Sequence, residues 1–169
     1  MTRGIVVVSI FDPTEYKINS KANWNVVAPD YHYNWANKHE GPFKSTVQVV
    51  SLAEINPSDK VLDIACGTGA VSSEIFSRLG KTGLLVGIDM SRTALTIAKD
   101  TTHGPNVNFF EMDAENLGFD FLFDKILCQY GLMFFPDTAK VLKTLRKILR
   151  AWWKNCFCSS WSGRRGAIF

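Results

Sequence analysis

Val61-Leu62-Asp63-Ile64-Ala65-Cys66-Gly67-Thr68-Gly69 is an apolar strand that runs into a tight, glycine-rich turn. A helical pattern follows from Ala70 to Leu79, and Leu84-Leu85-Val86-Gly87-Ile88 then reads as a second buried strand ending on Asp89. Asp89 lies about 20 residues beyond the glycines, the spacing at which an acid at the end of a second strand holds a ribose. Glycines let the backbone approach a ligand more closely than any residue with a Cβ. The helix start behind them offers unpaired N–H groups to an anion. Together these features read as a nucleoside-binding α/β unit.

Working outward, strands and helices alternate. Asn56-Pro57-Ser58-Asp59 turns the chain into the first strand, Val61 to Cys66. Gly80 and Gly83 end the first helix. Ser91 is a plausible N-cap for a helix carrying Ala94, Leu95 and Ala98, which His103-Gly104-Pro105-Asn106 breaks. A strand from Val107 to Met112 ends on Asp113, and another runs from Phe123 to Gln129. Asp137 opens a helix with Val141, Leu142, Leu145, Ile148 and Leu149 inside. This alternation predicts a mainly parallel, doubly wound sheet with right-handed crossovers and helices on both faces, an α/β fold of Rossmann type. Ligands bind such sheets at the carboxyl ends of the strands. Asp63 to Gly69, Asp89, Asp113 and Gln129 all fall at or just past those ends.

Upstream the signal is weaker. Residues 1 to about 22 show no period and read as a loose lead-in. Trp24 to His39 is rich in aromatics and reads as a helical cover, and Phe43 to Ile55 has helical spacing. The expected division is therefore a cover over 1–55, a binding core over 56–150 and a distinct tail over 151–169.

Composition bounds the function. At 169 residues, 46% hydrophobic and 21% charged, the chain suits one globular domain. Ile5-Val6-Val7-Val8 is too short to span a membrane and lacks a signal-peptide layout, so a cytoplasmic protein with no membrane span is expected. Four cysteines are too few and scattered for a disulfide framework, and Cys156-Phe157-Cys158 lacks a second ligand pair, so no metal is expected. The net charge of +3 comes from Lys154, Arg164 and Arg165 in an acid-free tail. The neutral remainder offers no basic stripe for nucleic acid.

Four blocks resemble the class I S-adenosylmethionine-dependent methyltransferases, in the methyltransferase type 11 branch with the ubiquinone/menaquinone C-methyltransferases. They are Val61 to Gly69, Gly87 to Ser91, Met112 to Leu117, and Phe123 to Asp137, in the family's order; Trp24 to Trp35 resembles its N-terminal cover. The resemblance implies S-adenosylmethionine as cofactor and a small-molecule methyl acceptor. It implies that the turn from Ala65 and Cys66 through Gly67, Thr68 and Gly69 passes the methionine part, with Asp63 holding the amino end. It implies Asp89 on the ribose hydroxyls, Met90 on the adenine face, Asp113 and the Ala114 backbone at the adenine edge, and Gln129 on the methyl-transfer side. Asp63 in an apolar strand needs a partner in any case, because an unpaired buried carboxylate is costly. Catalytic residues are not assigned; Tyr31, His32 and Tyr130 are candidates by residue type only. Surface placement is expected for His32, His39 and His103.

Other nucleotide readings fit less well. A dehydrogenase fingerprint needs a third glycine that does not follow Gly67-Thr68-Gly69. Amino-methyltransferases of DNA carry an Asn/Asp-Pro-Pro-aromatic block where this chain has Gln129-Tyr130-Gly131-Leu132, and the cytosine-C5 Pro-Cys pair is absent, since Leu127 precedes Cys128.

The resemblance stops at Leu149-Arg150, where the family continues Pro-Gly-Gly and a fifth strand. C-terminal strands are therefore expected to be missing, and the alternative to an active enzyme is a truncated, non-catalytic remnant. Dropping the first base of the Ala151 codon turns the Trp152 and Trp153 codons into two glycine codons. The shifted frame can read Pro-Gly-Gly-Lys-Ile-Ala-Phe, so residues 151–169 are read as out of frame.

Overall fold

The computed structural model describes residues 11–150, together with the backbone of 156–159 and 167–168. Six strands form one sheet: β1 (Lys60–Ile64), β2 (Leu84–Asp89), β3 (Val107–Glu111), β4 (Lys125–Gln129), β5 (Cys156–Ser159) and β6 (Ala167–Ile168). Their order is β3-β2-β1-β4-β5-β6, and every pairing is parallel except β5 with β6. The order reverses between β1 and β4, the switch point at which open α/β sheets bind ligands.

Period-two alternation sorts the core onto two faces. Leu62, Ile64, Val86, Ile88, Ile126 and Cys128 pack with Val141, Leu145 and Ile148 of α5 (Thr138–Ile148). Val61, Leu85 and Leu127 point the other way, against α2 (Thr46–Leu52) and α3 (Ala70–Phe76). Leu95 and Ala98 of α4 (Arg92–Thr101) meet Cys66 and Phe109. Helices thus cover both faces, as the alternation predicts. In this register Asp63 shares the α3 face with Val61, which decides its partner below.

Three expectations are corrected. The described part of the lead-in is not loose: α1 runs from Pro13 to Tyr31, and residues 1–10 lie outside those described. Asp12 caps it, accepting hydrogen bonds from the N–H groups of Thr14 and Glu15, and Pro13 occupies the first helical position. There its missing N–H costs nothing and its fixed φ suits the helix. A π-helical turn (His32–Ala36) and a 3-10 turn (Gly41–Ser45) carry the chain into α2. Nor does the sheet stop at β4. Cys156–Ser159 pairs in parallel with it, Ile126 opposite Cys156 and Leu127 opposite Phe157. The free edge of β4 presents a row of backbone donors and acceptors, and a Cys-Phe-Cys segment suits a short strand. The first turn of the expected fourth strand also differs: Phe123 forms an isolated bridge with Leu149, and β4 starts at Lys125. The remaining residues of the expected out-of-frame tail, 151–155, 160–166 and 169, lie outside those described.

Candidate functional site

A cavity of about 340 Å³ opens at the carboxyl ends of β1, β2, β3 and β4, roofed by α1. Of the expected site residues, Ala65, Cys66, Gly67, Thr68, Asp89, Met90, Ala114 and Gln129 line it; Asp63, Gly69 and Asp113 do not. The cover adds Trp24, Ala28, Tyr31 and Phe43, and the segment after β4 adds Tyr130, Gly131 and Phe134. Trp24 meets Tyr31 and Phe134 edge-on at 5.4 and 5.6 Å, and Tyr31 meets Phe43 at 5.6 Å. These aromatics make the roof apolar.

The glycines have different reasons. Gly67 has φ 55° and nothing within 4 Å of where a Cβ would stand. That open space belongs to a residue lining the cavity. Gly69 has φ 90°, and its Cβ would lie 3.2 Å from Ala98 on α4. Gly69 therefore serves helix packing. Ala65 takes φ 52° at the end of β1, an uncommon conformation for a residue with a Cβ.

Asp89 holds this turn in place. One carboxylate oxygen accepts from the Gly67 N–H at 2.9 Å and the other from the Ser91 N–H at 2.8 Å. Burial raises its pKa, against these backbone hydrogen bonds, which lower it. Each oxygen retains a lone pair for a further donor. Behind the turn, Ser72 of α3 donates to Asp63 Oδ2 at 2.6 Å, while Asp63 Oδ1 is buried with no hydrogen-bond partner among the described residues. Burial, and then the neighbouring Asp89 charge, raise the Asp63 pKa to about 7. The same burial pushes the Cys66 thiol well up, so it is no thiolate nucleophile.

Helix α1 ties three of the loops together. Lys17 bridges Asp113 at 2.8 Å and Glu115 at 2.6 Å. Asn25 Oδ1 accepts from Ser91 Oγ at 2.9 Å and the Thr93 N–H at 3.1 Å. His32 Nδ1 lies 3.0 Å from Thr68 Oγ1, and burial lowers its pKa. His32 is thus half-buried over the glycine turn instead of at the surface, while His39 and His103 are exposed. Asp113 is already engaged: besides Lys17 it accepts from the Glu115 N–H at 2.9 Å and Asn116 Nδ2 at 2.9 Å. The wall beside it comes from Met112 and Ala114. Neither Lys17 nor Asn25 was visible as a site residue, since each acts across at least 66 residues of chain. The helical reading of Trp24 to His39 covers the second half of α1, and Asp12-Pro13 marks its start.

Residues 61–151 match the family model described as a methyltransferase domain. The chain belongs to this family. It is 28% identical over 128 residues to demethylmenaquinone methyltransferase of Staphylococcus saprophyticus, covering 75% of this chain and 51% of that protein. It is 30% identical over 106 residues to the ubiquinone/menaquinone biosynthesis C-methyltransferase UbiE of Haemophilus ducreyi, covering 60% of this chain and 41% of that protein. The chain thus spans about half the length of the curated relatives it matches. Among solved structures, magnesium protoporphyrin IX methyltransferase of Synechocystis, with bound SAM, superimposes with a TM-score of 0.70 at 17% identity, over 96% of this chain and 82% of that one. The [4+2]-cyclase SpnF does so with a TM-score of 0.70 at 16% identity, over 85% and 60%. These two likenesses show the fold alone, and function has to be argued from the site. Among the described residues of this methyltransferase-family chain, no helix is long and apolar enough to cross a membrane.

Proposed function

We propose that the cavity binds S-adenosylmethionine and presents it for methyl transfer to a small-molecule acceptor. The observation that carries this is the pairing of Asp89 with Gly67. A half-buried carboxylate, fixed by two backbone amides, stands beside open space in front of a glycine. A ribose offers two hydroxyl donors to such a group. Met90 and Ala114 supply apolar wall for adenine beside it. Asp63 stands behind the cavity wall, and its Oδ1, without a partner among the described residues, would hold the cofactor's amino group through a water. Asp113 serves the adenine edge through the loop it stiffens, or through a remaining lone pair. Gln129 and Tyr130 border the opposite, β4 side, where an acceptor would sit.

The sulfonium of the cofactor supplies the activated methyl group and its leaving group. The protein's task is then alignment and exclusion of water. The fixed glycine turn and the aromatic roof meet both needs, and orientation alone can lower such a barrier by about 7–11 kcal/mol. No lysine, arginine or histidine lines the cavity among the described residues, which favours an uncharged acceptor. The test is incubation of the protein with methyl-labelled cofactor and a cell extract. Label moving into small organic-soluble molecules is expected; label retained in the cofactor contradicts transfer.

A further inference from the structure

A buried amide interrupts the apolar cavity wall on its β4 side. Gln129 ends β4, is 7% exposed and lines the cavity. It is held at both ends from the start of α2. The fully buried Thr46 hydroxyl donates to Gln129 Oε1 at 2.8 Å, and Gln129 Nε2 donates to Ser45 Oγ at 3.2 Å. A further contact fixes which way round the amide stands. Ser45 Oγ donates to the Pro42 carbonyl at 3.3 Å, and a carbonyl only accepts. The single Ser45 proton is thereby engaged, so Ser45 meets Gln129 as an acceptor. The nitrogen end of the amide faces Ser45 and the oxygen end faces Thr46. The Tyr130 hydroxyl approaches the same Ser45 oxygen at 3.2 Å.

A primary amide carries two N–H donors. Ser45 takes one of those on Gln129, and the other has no partner among the described residues. Buried donors are nearly always paired, and an unpaired one in an apolar wall is costly. Water or a ligand atom with a lone pair has to meet it. The two bonds that hold the amide cross 83 and 84 residues of sequence. Its direction is therefore set by the packing of α2 against the end of β4, before any ligand arrives.

Resting on the methyl-transfer reading above, we infer that Gln129 is a specificity-determining residue for the acceptor. Its second N–H donates to a carbonyl oxygen on an otherwise apolar, uncharged acceptor, and Thr46 and Ser45 are its positioning residues. A protonated amine has no lone pair to offer this donor. An anion would find no countercharge, since no lysine, arginine or histidine lines the cavity among the described residues. A site built to bond such an oxygen rejects the isostere that lacks it, because the buried donor is then left unpaired.

The experiment titrates the protein, with and without S-adenosylhomocysteine, with acetophenone and with α-methylstyrene, in which a methylene group replaces the carbonyl oxygen. The readout is the ratio of the two affinities, compared between variants so that the different hydration of the probes cancels. Gln129→Met should lower the preference for acetophenone roughly threefold to tenfold, the equivalent of one neutral hydrogen bond. Thr46→Val, which frees the amide to turn, should lower it by less, and Thr46→Ser, which keeps the hydroxyl, should restore it. Affinity for S-adenosylhomocysteine should stay the same in all three. An unaltered ratio in Gln129→Met, or no binding of either probe by the wild type, would overturn the inference. So would weakened S-adenosylhomocysteine binding by the folded variants, which would give the amide to the cofactor. Where Gln129→Met does not fold, Thr46→Val decides, and an unaltered ratio there contradicts the inference. Failure of the wild type to bind S-adenosylhomocysteine would instead count against the cofactor reading, and the probe ratio in the unloaded protein still tests Gln129.

Discussion

Ser72 of α3 donates a 2.6 Å hydrogen bond to one oxygen of Asp63 in β1, and the other oxygen is buried with no partner among the described residues. The pair stands directly behind the glycine turn, since Asp63 is opposite Gly87 in the parallel register and two residues from Ala65. A carboxylate so placed is poorly solvated, and its pKa rises from 3.8 to about 7.

The sign of the pH dependence follows. A folded-state pKa raised above the unfolded value means that the folded protein binds more protons between the two. Its contribution to stability is complete below about pH 4 and is lost as pH rises through about 7, on the order of 4 kcal/mol. Without ligand, the wild type should therefore melt several degrees lower at pH 8 than at pH 5.5, beyond the change in Asp63→Asn. Matching pH profiles for the two proteins would show that Asp63 is not the group responsible.

The two glycines of the turn should fail differently. Gly69→Ala places a methyl group 3.2 Å from Ala98 in a left-handed conformation, and a loss of about 2 kcal/mol or more of stability is expected. Gly67→Ala carries only the conformational penalty, about 1–2 kcal/mol, but its methyl projects into open space at the cavity wall. Chemical denaturation and cofactor titration on both variants separate the effects: the stability loss should be larger at Gly69, and lost affinity in a folded protein should belong to Gly67.

Lys17 offers a third test. Burial alone would raise the Asp113 pKa, but its hydrogen bonds to Lys17 and the Glu115 amide, with the lysine's charge, hold it below 3.8. A lowered acid pKa gives stability that is present above about pH 4 and disappears as pH falls through the folded value. Lys17→Met should cost roughly 1 kcal/mol at pH 7, after allowance for solvent screening, and less at pH 3. A cost that stays constant with pH in denaturation curves would mean that α1 is held by packing and not by this ion pair.

Much of this was legible in the sequence because it is periodic or local. Each of β1, β2 and β4 alternates between two buried faces and reads as a nearly continuous apolar run, and turn residues bound them. Asp89 was legible because it ends such a run. Of α1, the aromatic half from Trp24 was read as helix but its first half was not, because those residues form no apolar stripe and its start rests on a cap and a proline. Lys17, Asn25 and Ser72 reach the site through tertiary contacts that no spacing announces. Tyr130 was visible only as a residue type, since its left-handed backbone depends on the packing of Gly131 against Ala65.

The reading of residues 151–169 as out of frame remains a proposal with a direct check. The shifted peptide would lay Ile-Ala-Phe over positions 155–157, of which 156 and 157 pair with β4 in β5. Resequencing the gene should find Pro-Gly-Gly and a continuing open frame one base on; an early stop in that frame would end the proposal.

The central claim is that Asp89 and the Gly67 turn hold the cofactor. Calorimetric titration with S-adenosylmethionine should give saturable binding by the wild type. Asp89→Ala should weaken it by about 1.5–3 kcal/mol, tenfold or more, in a protein whose circular dichroism is unchanged. Equal affinity in the two proteins, or no binding by a folded wild type, would contradict the account.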